Sequence, residues 1–343
     1  METYLVTGGA GFVGSTVARE LRQAGHRVIV FDDLSKGHRA ALSDDIALVH
    51  GDLADRPAID RVLAADQIDA VLHFAAFIEA GESMREPERF FRNNTANTFN
   101  LLEAMLAHGV RRFVFSSTAA LYGDPERTPI EETDRLAPTN AYGESKLLVE
   151  RVLDWYYRLH GLRSASLRYF NAAGAPPGHG EDHSPETHLI PLVLQVALGT
   201  RAAVSIYGTD YPTPDGTCVR DYVHVLDLAA AHLLALDALR ATERDDPDRQ
   251  RGRLIYNLGN GQGFSVRQVI EVARRITGHA IPATETPRRA GDPATLVASS
   301  AKIRRELGWI PRFATLEQIV TSAWAWHQVR PKGYAVDAST ERG

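Results

Sequence analysis

The sequence is almost without cysteine. Cys218 stands alone among 343 residues, so no intramolecular disulfide can form, and a reducing, cytoplasmic setting is the expectation. Long apolar runs are missing too. Nothing approaches the ~20 residues that cross a bilayer, so no membrane partner is expected. The chain starts Met1-Glu2-Thr3-Tyr4-Leu5-Val6 and enters a strand-like segment at once, without the basic and apolar regions of a signal peptide. Basic clusters are also lacking. The formal net charge is −5, which sets nucleic acid aside as a partner because phosphate backbones need a clustered positive field. A small ligand with one diphosphate needs only one or two arginines and stays open. No internal repeat or low-complexity tract is found.

What is present suits a large core: 44% of the residues are hydrophobic and 24% charged, a globular balance. The length is comfortable for two domains that share an interface. Strand-like runs occur at Tyr4 to Thr7, Arg27 to Phe31, Ile46 to Val49, Ala70 to His73, Arg112 to Ser116 and Ser164 to Tyr169. Helical patterns lie at Phe12 to Ala24, Pro87 to His108 and Asn140 to His160. Such alternation predicts an α/β fold with a Rossmann-type, doubly wound parallel sheet covered on both faces. From about Ala172 the pattern breaks into a Gly-, Pro- and His-rich crossing loop, then a helix over Ile190 to Leu198 and irregular segments. Val225 to Leu239 reads as helix, Ala241 to Gly252 as an exposed charged loop, Leu254 to Leu258 as strand and Ser265 to Thr277 as a serine-capped helix. The expected division is a dinucleotide domain at 1–175, with segments near 220–260 partly returning to it, a second, smaller α/β substrate domain at 176–330, and a loose tail at 331–343.

Gly8-Gly9-Ala10-Gly11-Phe12-Val13-Gly14 follows the first strand and opens the first helix. Gly8 permits a tight turn, Gly11 lets backbone approach a pyrophosphate at the helix N-terminus, and Gly14 allows helix to pack on strand. The next strand runs into Asp32. An acid there accepts both hydroxyls of an adenosine ribose and repels a 2′-phosphate, which favours NAD over NADP. Asp52, after the third strand, suits either an adenine contact or a helix cap. Small residues in His73-Phe74-Ala75-Ala76 leave room for a cofactor beside the sheet, or simply let a helix pack there.

Tyr142 and Lys146 stand four apart on a helix, hence on one face, one turn apart. A lysine ammonium there is expected to favour the phenolate. Bringing a tyrosine to neutrality takes ~3 units, or about 4 kcal/mol. Phe115-Ser116-Ser117-Thr118 ends the fifth strand, the edge where ligands bind in open parallel sheets. Thr118 offers a hydroxyl to a reacting oxygen.

The glycine turn, the Ser-Ser-Thr strand end and the Tyr-x-x-x-Lys pair together resemble the extended short-chain dehydrogenase/reductase family, and within it the UDP-glucose 4-epimerases. The matching stretches are Ala119 to Gly123, Leu167 to Ala175, Tyr207 to Val225 and Pro287 to Asp292. The resemblance implies reversible C4 epimerisation of UDP-hexoses with tightly bound NAD, with Thr118, Tyr142 and Lys146 catalytic. It implies a cofactor lining of Phe12, Val13, Asp33, Leu34, Ser35, Lys36, Gly37, Leu53, Phe74, Ala75, Ala76, Phe77, Ile78, Asn94, Ser116 and Phe170. For the UDP-sugar it implies Asn171, His188, Leu189, Tyr207, Arg220, Arg289, Asp292 and Leu296. Two arginines suit a diphosphate. A salt bridge from Arg220 to Asp221 or Asp227 is the competing reading of that residue.

Two departures stand out. Ile78 falls where some such enzymes carry a lysine, and Leu296 where narrowly specific ones carry a tyrosine. The smaller leucine predicts some acceptance of N-acetylhexosamines. A dehydratase is disfavoured because Ala119-Ala120 follows Thr118, where elimination needs acid and base. A UDP-glucuronate decarboxylase and a non-catalytic NAD-binding redox sensor are the remaining alternatives; sensors typically lose the Tyr–Lys pair. The loosely spaced His179, His183 and His188 have no cysteine partner, so no metal is expected. Cys218 has no base beside it and is not read as a nucleophile. Trp324-Ala325-Trp326-His327 reads as helix packing. A homodimer through Pro87 to His108 and Asn140 to His160 is what the resemblance implies.

Overall fold

The computed structural model describes residues 1–245, 252–289 and 291–334. The first half alternates strand and helix: β1 (Thr3–Thr7), α1 (Phe12–Gln23), β2 (Arg27–Asp32), β3 (Ala47–His50), α2 (Arg56–Ala65), β4 (Ala70–His73), the short α3 (Ala80–Ser83) and α4 (Pro87–Phe90), α5 (Asn97–Ala107), β5 (Arg112–Thr118), α6 (Ala141–His160) and β6 (Arg163–Tyr169). Then follow β7 (Asn171–Ala173), α7 (Leu189–Ala197), β8 (Val204–Tyr207), β9 (Val219–His224), α8 (Val225–Asp245), β10 (Arg253–Leu258), β11 (Gly263–Ser265), α9 (Val266–Thr277), β12 (Ala283–Thr286), β13 (Thr295–Leu296), α10 (Ala301–Leu307) and α11 (Leu316–Val329).

Seven strands form one sheet in the order β10-β6-β5-β4-β1-β2-β3, and every neighbouring pair is parallel. One apolar core lies on each face. Tyr4, Val6, Val17, Leu72 and Leu236 belong to the first, and Leu5, Ile29, Val71, Leu102 and Phe113 to the second. That two-sided burial is why these strands carry no polar alternation. The chain runs outward from β1 to β3, then returns to lay β4 on the other side of β1. The reversal opens a crevice at the carboxyl ends of β1 and β4, where open α/β sheets take their ligands. A second lobe packs α7, α9 and α11 around β8 and β9, with its own core of Ile190, Val193, Ile206, Ile270 and Ile319. There β9 is flanked by antiparallel β11 and parallel β13 and β7.

Local chemistry sets the helix ends. Asn140 caps α6 by accepting from the Gly143 N–H at 2.8 Å, and left-handed Gly161 (φ 67°) stops it. Ser265 and Gln268 form a reciprocal box at the start of α9.

Several expectations are corrected. The expected uninterrupted helix from Pro87 to His108 contains a π turn at Phe91–Ala96. That widened turn lets Asn94 and Thr95 both reach Ser145 of α6, at 3.1 and 2.9 Å. The irregular stretch before residue 225 contains strands β8 and β9; in β9 the charged pair Arg220 and Asp221 and the terminal His224 break the apolar run that marked the other strands. Helix α2, capped by Asp55, was not read from the sequence. Helix α8 continues to Asp245, through helix-favouring charged residues, into what was expected to be loop; residues 246–251 lie outside the described residues. The tail is not loose at its start: Tyr334 is buried and accepts the Gly180 N–H at 3.0 Å. Residues 335–343 lie outside the described residues.

Candidate active site

At the cofactor end the pocket is made of backbone. Gly8 adopts φ 67° and donates its N–H to the Phe31 carbonyl at 2.9 Å. A Cβ on Gly8 would lie 2.3 Å from the Ala75 nitrogen, and one on Gly14 2.3 Å from the Gly8 carbonyl oxygen, so only glycine fits either position. A Cβ on Gly11 would make only an ordinary contact, with the Gly8 carbonyl oxygen at 3.5 Å. Asp32 ends β2 and accepts the N–H groups of Ala10 and Leu34, each at 2.9 Å. Burial pushes its carboxyl above the ordinary value, while those two N–H groups pull it back part-way.

Phe12, Val13, Asp33, Ser35, Lys36, Gly37, Asp52, Leu53, Phe74, Ala75, Ala76, Phe77 and Ile78 line the same pocket as Gly8, Gly11, Gly14 and Asp32. Asp52 is not the helix cap, since Asp55 holds that place. Leu34 and Asn94 do not line it. Leu34 takes φ 57° behind Asp32. Buried Asn94 instead holds the Phe77 backbone, accepting its N–H and donating to its carbonyl, both at 2.9 Å. The sequence reading missed Glu79, which lines the pocket and pairs with Lys36 at 3.0 Å. Lys36 also donates to the Ser184 carbonyl at 3.1 Å, tying the loop after β2 to the crossing loop.

At the reacting end, Ser116 and Thr118 stand at the carboxyl end of β5 and Tyr142 in the first turn of α6, all lining the pocket with Phe170. Thr118 stands beside the Tyr142 phenol and draws its pKa down. The Tyr142 N–H donates to Ser83 Oγ at 3.1 Å, which fixes the start of the helix. Lys146, 2% exposed, lies one turn deeper and donates to the Ser116 carbonyl at 2.9 Å. Here the expected electrostatics is corrected. Burial pushes the Tyr142 phenol above its ordinary value; Thr118 draws it back part-way and Glu79 adds to the rise. Burial likewise pushes Lys146 down to about 7. The ammonium serves the strand carbonyl rather than the phenol, so nearness on one helix face does not by itself give a phenolate.

A buried network holds this strand end in place. Ser117 donates to Glu150 at 2.6 Å, Arg168 grips both oxygens of Glu150 at 3.1 and 2.7 Å, and Arg168 reaches the Tyr122 hydroxyl at 2.7 Å. This two-pronged pair locks α6 to β5 and β6.

The residues assigned to the UDP-sugar are divided. His188 lines the main pocket and is the residue before α7, which Leu189 opens. Arg220, Arg289 and Asp292 gather separately: Arg289 meets Asp292 at 2.9 Å, Arg220 approaches it at 3.9 Å, and the Arg289 guanidinium lies 4.6 Å over the Tyr207 ring. The competing salt bridges of Arg220 are absent among the described residues. Asp221 accepts backbone N–H groups of Asn260, Gly261 and Ala298, and Asp227 those of Arg312 and Phe313. Leu296 links the two groups. It pairs with Arg220 across β9 and β13 and shares an apolar cluster with Phe170. Asn171 sits on β7, opposite Tyr222 of β9.

The three histidines of the crossing loop part company. His179 is buried between Ser15 and Thr16 of α1 and the Tyr334 hydroxyl, and burial pushes it down to about 4. His183 and His188 instead face Glu181 and Glu186. Burial alone would raise the Glu181 carboxyl, but the two histidines hold it low. Trp324 and Trp326 are packed in apolar clusters, as the sequence suggested.

Comparison with known proteins bears on this geometry. The NAD dependent epimerase/dehydratase family matches residues 4–259. A UDP-glucose 4-epimerase of Halalkalibacterium halodurans is 52% identical, covering 97% of this chain and 98% of that one. Among solved structures, a UDP-glucose 4-epimerase from Bifidobacterium longum in complex with NAD+ and UDP superposes with a TM-score of 0.91 at 38% identity, over 97% of this chain and 100% of that one. A UDP-Glc/GlcNAc 4-epimerase from Campylobacter jejuni gives 0.81 at 39%, over 96% and 100%.

Proposed function

Since the chain belongs to the NAD dependent epimerase/dehydratase family, we propose a residue-level account of the reaction that it shares with those relatives. The enzyme epimerises UDP-hexoses at C4, interconverting UDP-glucose and UDP-galactose with NAD. The pocket fits that cofactor: Gly8 and Gly14 admit no Cβ, Gly11 lines the pocket where backbone can approach a pyrophosphate, and Asp32 stands at the end of β2 for the ribose hydroxyls. Bound NAD supplies an acceptor for the C4 hydrogen as hydride and later its donor, so the overall reaction is redox-neutral.

The observation that carries the account is the convergence of Thr118 and Tyr142 at the carboxyl edge of the sheet, in the same pocket as the glycine turn. Thr118 orients the sugar 4-oxygen. Tyr142 would be held as phenolate by the positive charge that the nicotinamide ring brings, offsetting the effect of burial, and so accepts the 4-hydroxyl proton and returns it after the 4-keto sugar has turned over. Lys146, one turn below, anchors the strand end and the nicotinamide side of the site, and burial holds its pKa well below the usual lysine range. Arg220 and Arg289 hold the diphosphate, Asp292 and Asn171 take uridine-side hydroxyls and polar groups, and His188 and Leu189 close over the nucleotide. The remaining lining residues, from Phe12 and Val13 to Phe77, Ile78 and Phe170, shape the cofactor wall. Purified enzyme converting UDP-galactose to UDP-glucose tests the assignment. Tyr142→Phe is expected to lower kcat by roughly 10²- to 10⁴-fold while NAD stays bound. Unchanged kcat overturns the role given to Tyr142.

Leu296, packed against the pocket residue Phe170, supports a second acceptance, since leucine is smaller than the tyrosine of narrowly specific relatives. Turnover of UDP-N-acetylglucosamine checks it.

The wider assignments belong to the same proposal. Residues 1–175, with the return near 220–260, make the cofactor unit and 176–330 the substrate unit. The lone Cys218 supports a cytoplasmic setting. A homodimer is supported by α6, which leaves Trp155 58% and Leu159 67% exposed, one turn apart. Light scattering on Trp155→Asp against the parent protein reads the mass.

A further inference from the structure

Four side chains of the crossing loop converge beside the main cavity, and the epimerase account above uses only one of them, His188. Glu181, His183, Glu186 and His188 each present one ligand-type atom, and all four atoms lie within 4.8 Å of one another. Each imidazole Nδ1 faces both carboxylates. His188 stands 2.7 Å from Glu181 and 3.2 Å from Glu186, and His183 3.2 Å from Glu181 and 3.9 Å from Glu186. Neither Nδ1 makes a hydrogen bond, although both are buried. The carboxylates are near enough to attract but stand off the direction in which a ring N–H would donate. Two imidazoles and two carboxylates aimed at one point, without mutual hydrogen bonds, is the donor arrangement of a shared cation.

We propose that these four residues bind a divalent transition metal of the zinc type in a closed, four-coordinate site. Nitrogen and oxygen ligands about 2.0–2.1 Å from a tetrahedral ion stand about 3.3 Å apart, and the four nitrogen–oxygen separations bracket that value. Bringing the widest pair, within 4.8 Å, to that spacing takes side-chain shifts of about 0.7 Å each. Imidazole donors select a transition metal over magnesium or calcium. The orienting contacts are in place, because one oxygen of Glu186 accepts the N–H groups of Thr187 and His188 at 2.7 and 2.8 Å. There is also a way in: Glu181 and His183 border both the main cavity and a second one lined by His38, His327 and Tyr334. Charge argues in the same direction. With neutral imidazoles the cluster carries −2, and one dication cancels it. On the reading given above, on which this one point rests, the cluster borders a site for an anionic diphosphate. A filled site has no open position for chemistry. Its effect is to clasp residues 181–188 and fix the start of α7.

The test uses tag-free enzyme with its NAD in place, freed of metal by chelator and desalted. Zinc titration is expected to show one equivalent per chain, bound tightly enough to survive a second desalting, with a rise in thermal midpoint. Cobalt(II) in its place is expected to give the intense visible absorption of a four-coordinate ion. His183→Gln and Glu186→Gln, checked for folding by circular dichroism, are expected to lose the equivalent and the absorption. Magnesium is expected to give neither. A parent enzyme that retains no zinc, a six-coordinate cobalt spectrum, or full zinc binding in His183→Gln overturns the proposal. None of these readouts depends on turnover, so failure of the epimerase account leaves them intact.

Discussion

The turn after β1 and the cluster of Arg220, Arg289 and Asp292, proposed to serve the two ends of one ligand, are built by opposite means. At the turn the surface is backbone, and its critical side chains are the missing ones, with Gly8 and Gly14 leaving no room for a Cβ. At the cluster the surface is charge carried on long side chains, with Arg220 14% and Arg289 51% exposed and both turned toward Asp292. The first is fixed once the sheet forms. The second is held by surface ion pairs that contribute little to stability and that an incoming anion can replace. The turn is therefore damaged by adding atoms and the cluster by removing them.

The largest effect should come from forcing an atom into the turn. Gly14→Val should yield protein without bound NAD and with activity at background, read by absorbance of the released cofactor. Gly81, where an added Cβ meets nothing within 4 Å, is the control, and Gly81→Ala should keep both. Arg220→Ala should leave NAD bound and raise KM for UDP-galactose by roughly 10- to 100-fold, the value of one charge-assisted bond; Arg289→Ala, more exposed, should do less. Loss of NAD in either arginine variant would erase the distinction between the two ends.

Acid should weaken the sheet itself. Burial pushes His73 down to about 3 and His232 to about 4. Both prefer to be neutral in the fold, so their contribution is complete above pH 6.5 and is lost progressively as pH falls from there through the folded values of about 4 and about 3. Urea midpoints should fall from pH 7 to pH 4, and less in His73→Asn. The smallest effect is expected from Leu296→Tyr, a severalfold shift of kcat/KM away from N-acetylated sugars with the UDP-galactose reaction little changed.

The two ends also differed in how legible they were. The turn could be read because its elements are adjacent in sequence: strand, glycines, helix, then an acid at the next strand end. The same holds for Tyr142 and Lys146, one turn apart on α6. Their electrostatics could not be read, because depth of burial decides it. Lys146 turned out to serve the carbonyl of Ser116, thirty residues earlier in the chain. The π turn was hidden for a similar reason, since Asn94 and Thr95 bulge toward Ser145, which the linear pattern leaves fifty residues away. The grouping of Glu181 and Glu186 with two of the histidines was missed by counting histidines alone. His179 looks like their partner in sequence but packs against α1.

The central claim is that one carbon gives up its hydrogen as hydride and receives the same hydrogen back, while Tyr142 handles only the oxygen-bound proton. UDP-galactose carrying deuterium at C4, turned over in ordinary water and analysed by NMR, tests it directly. The account predicts UDP-glucose with the deuterium fully retained at C4. Washout of that label into solvent would contradict it.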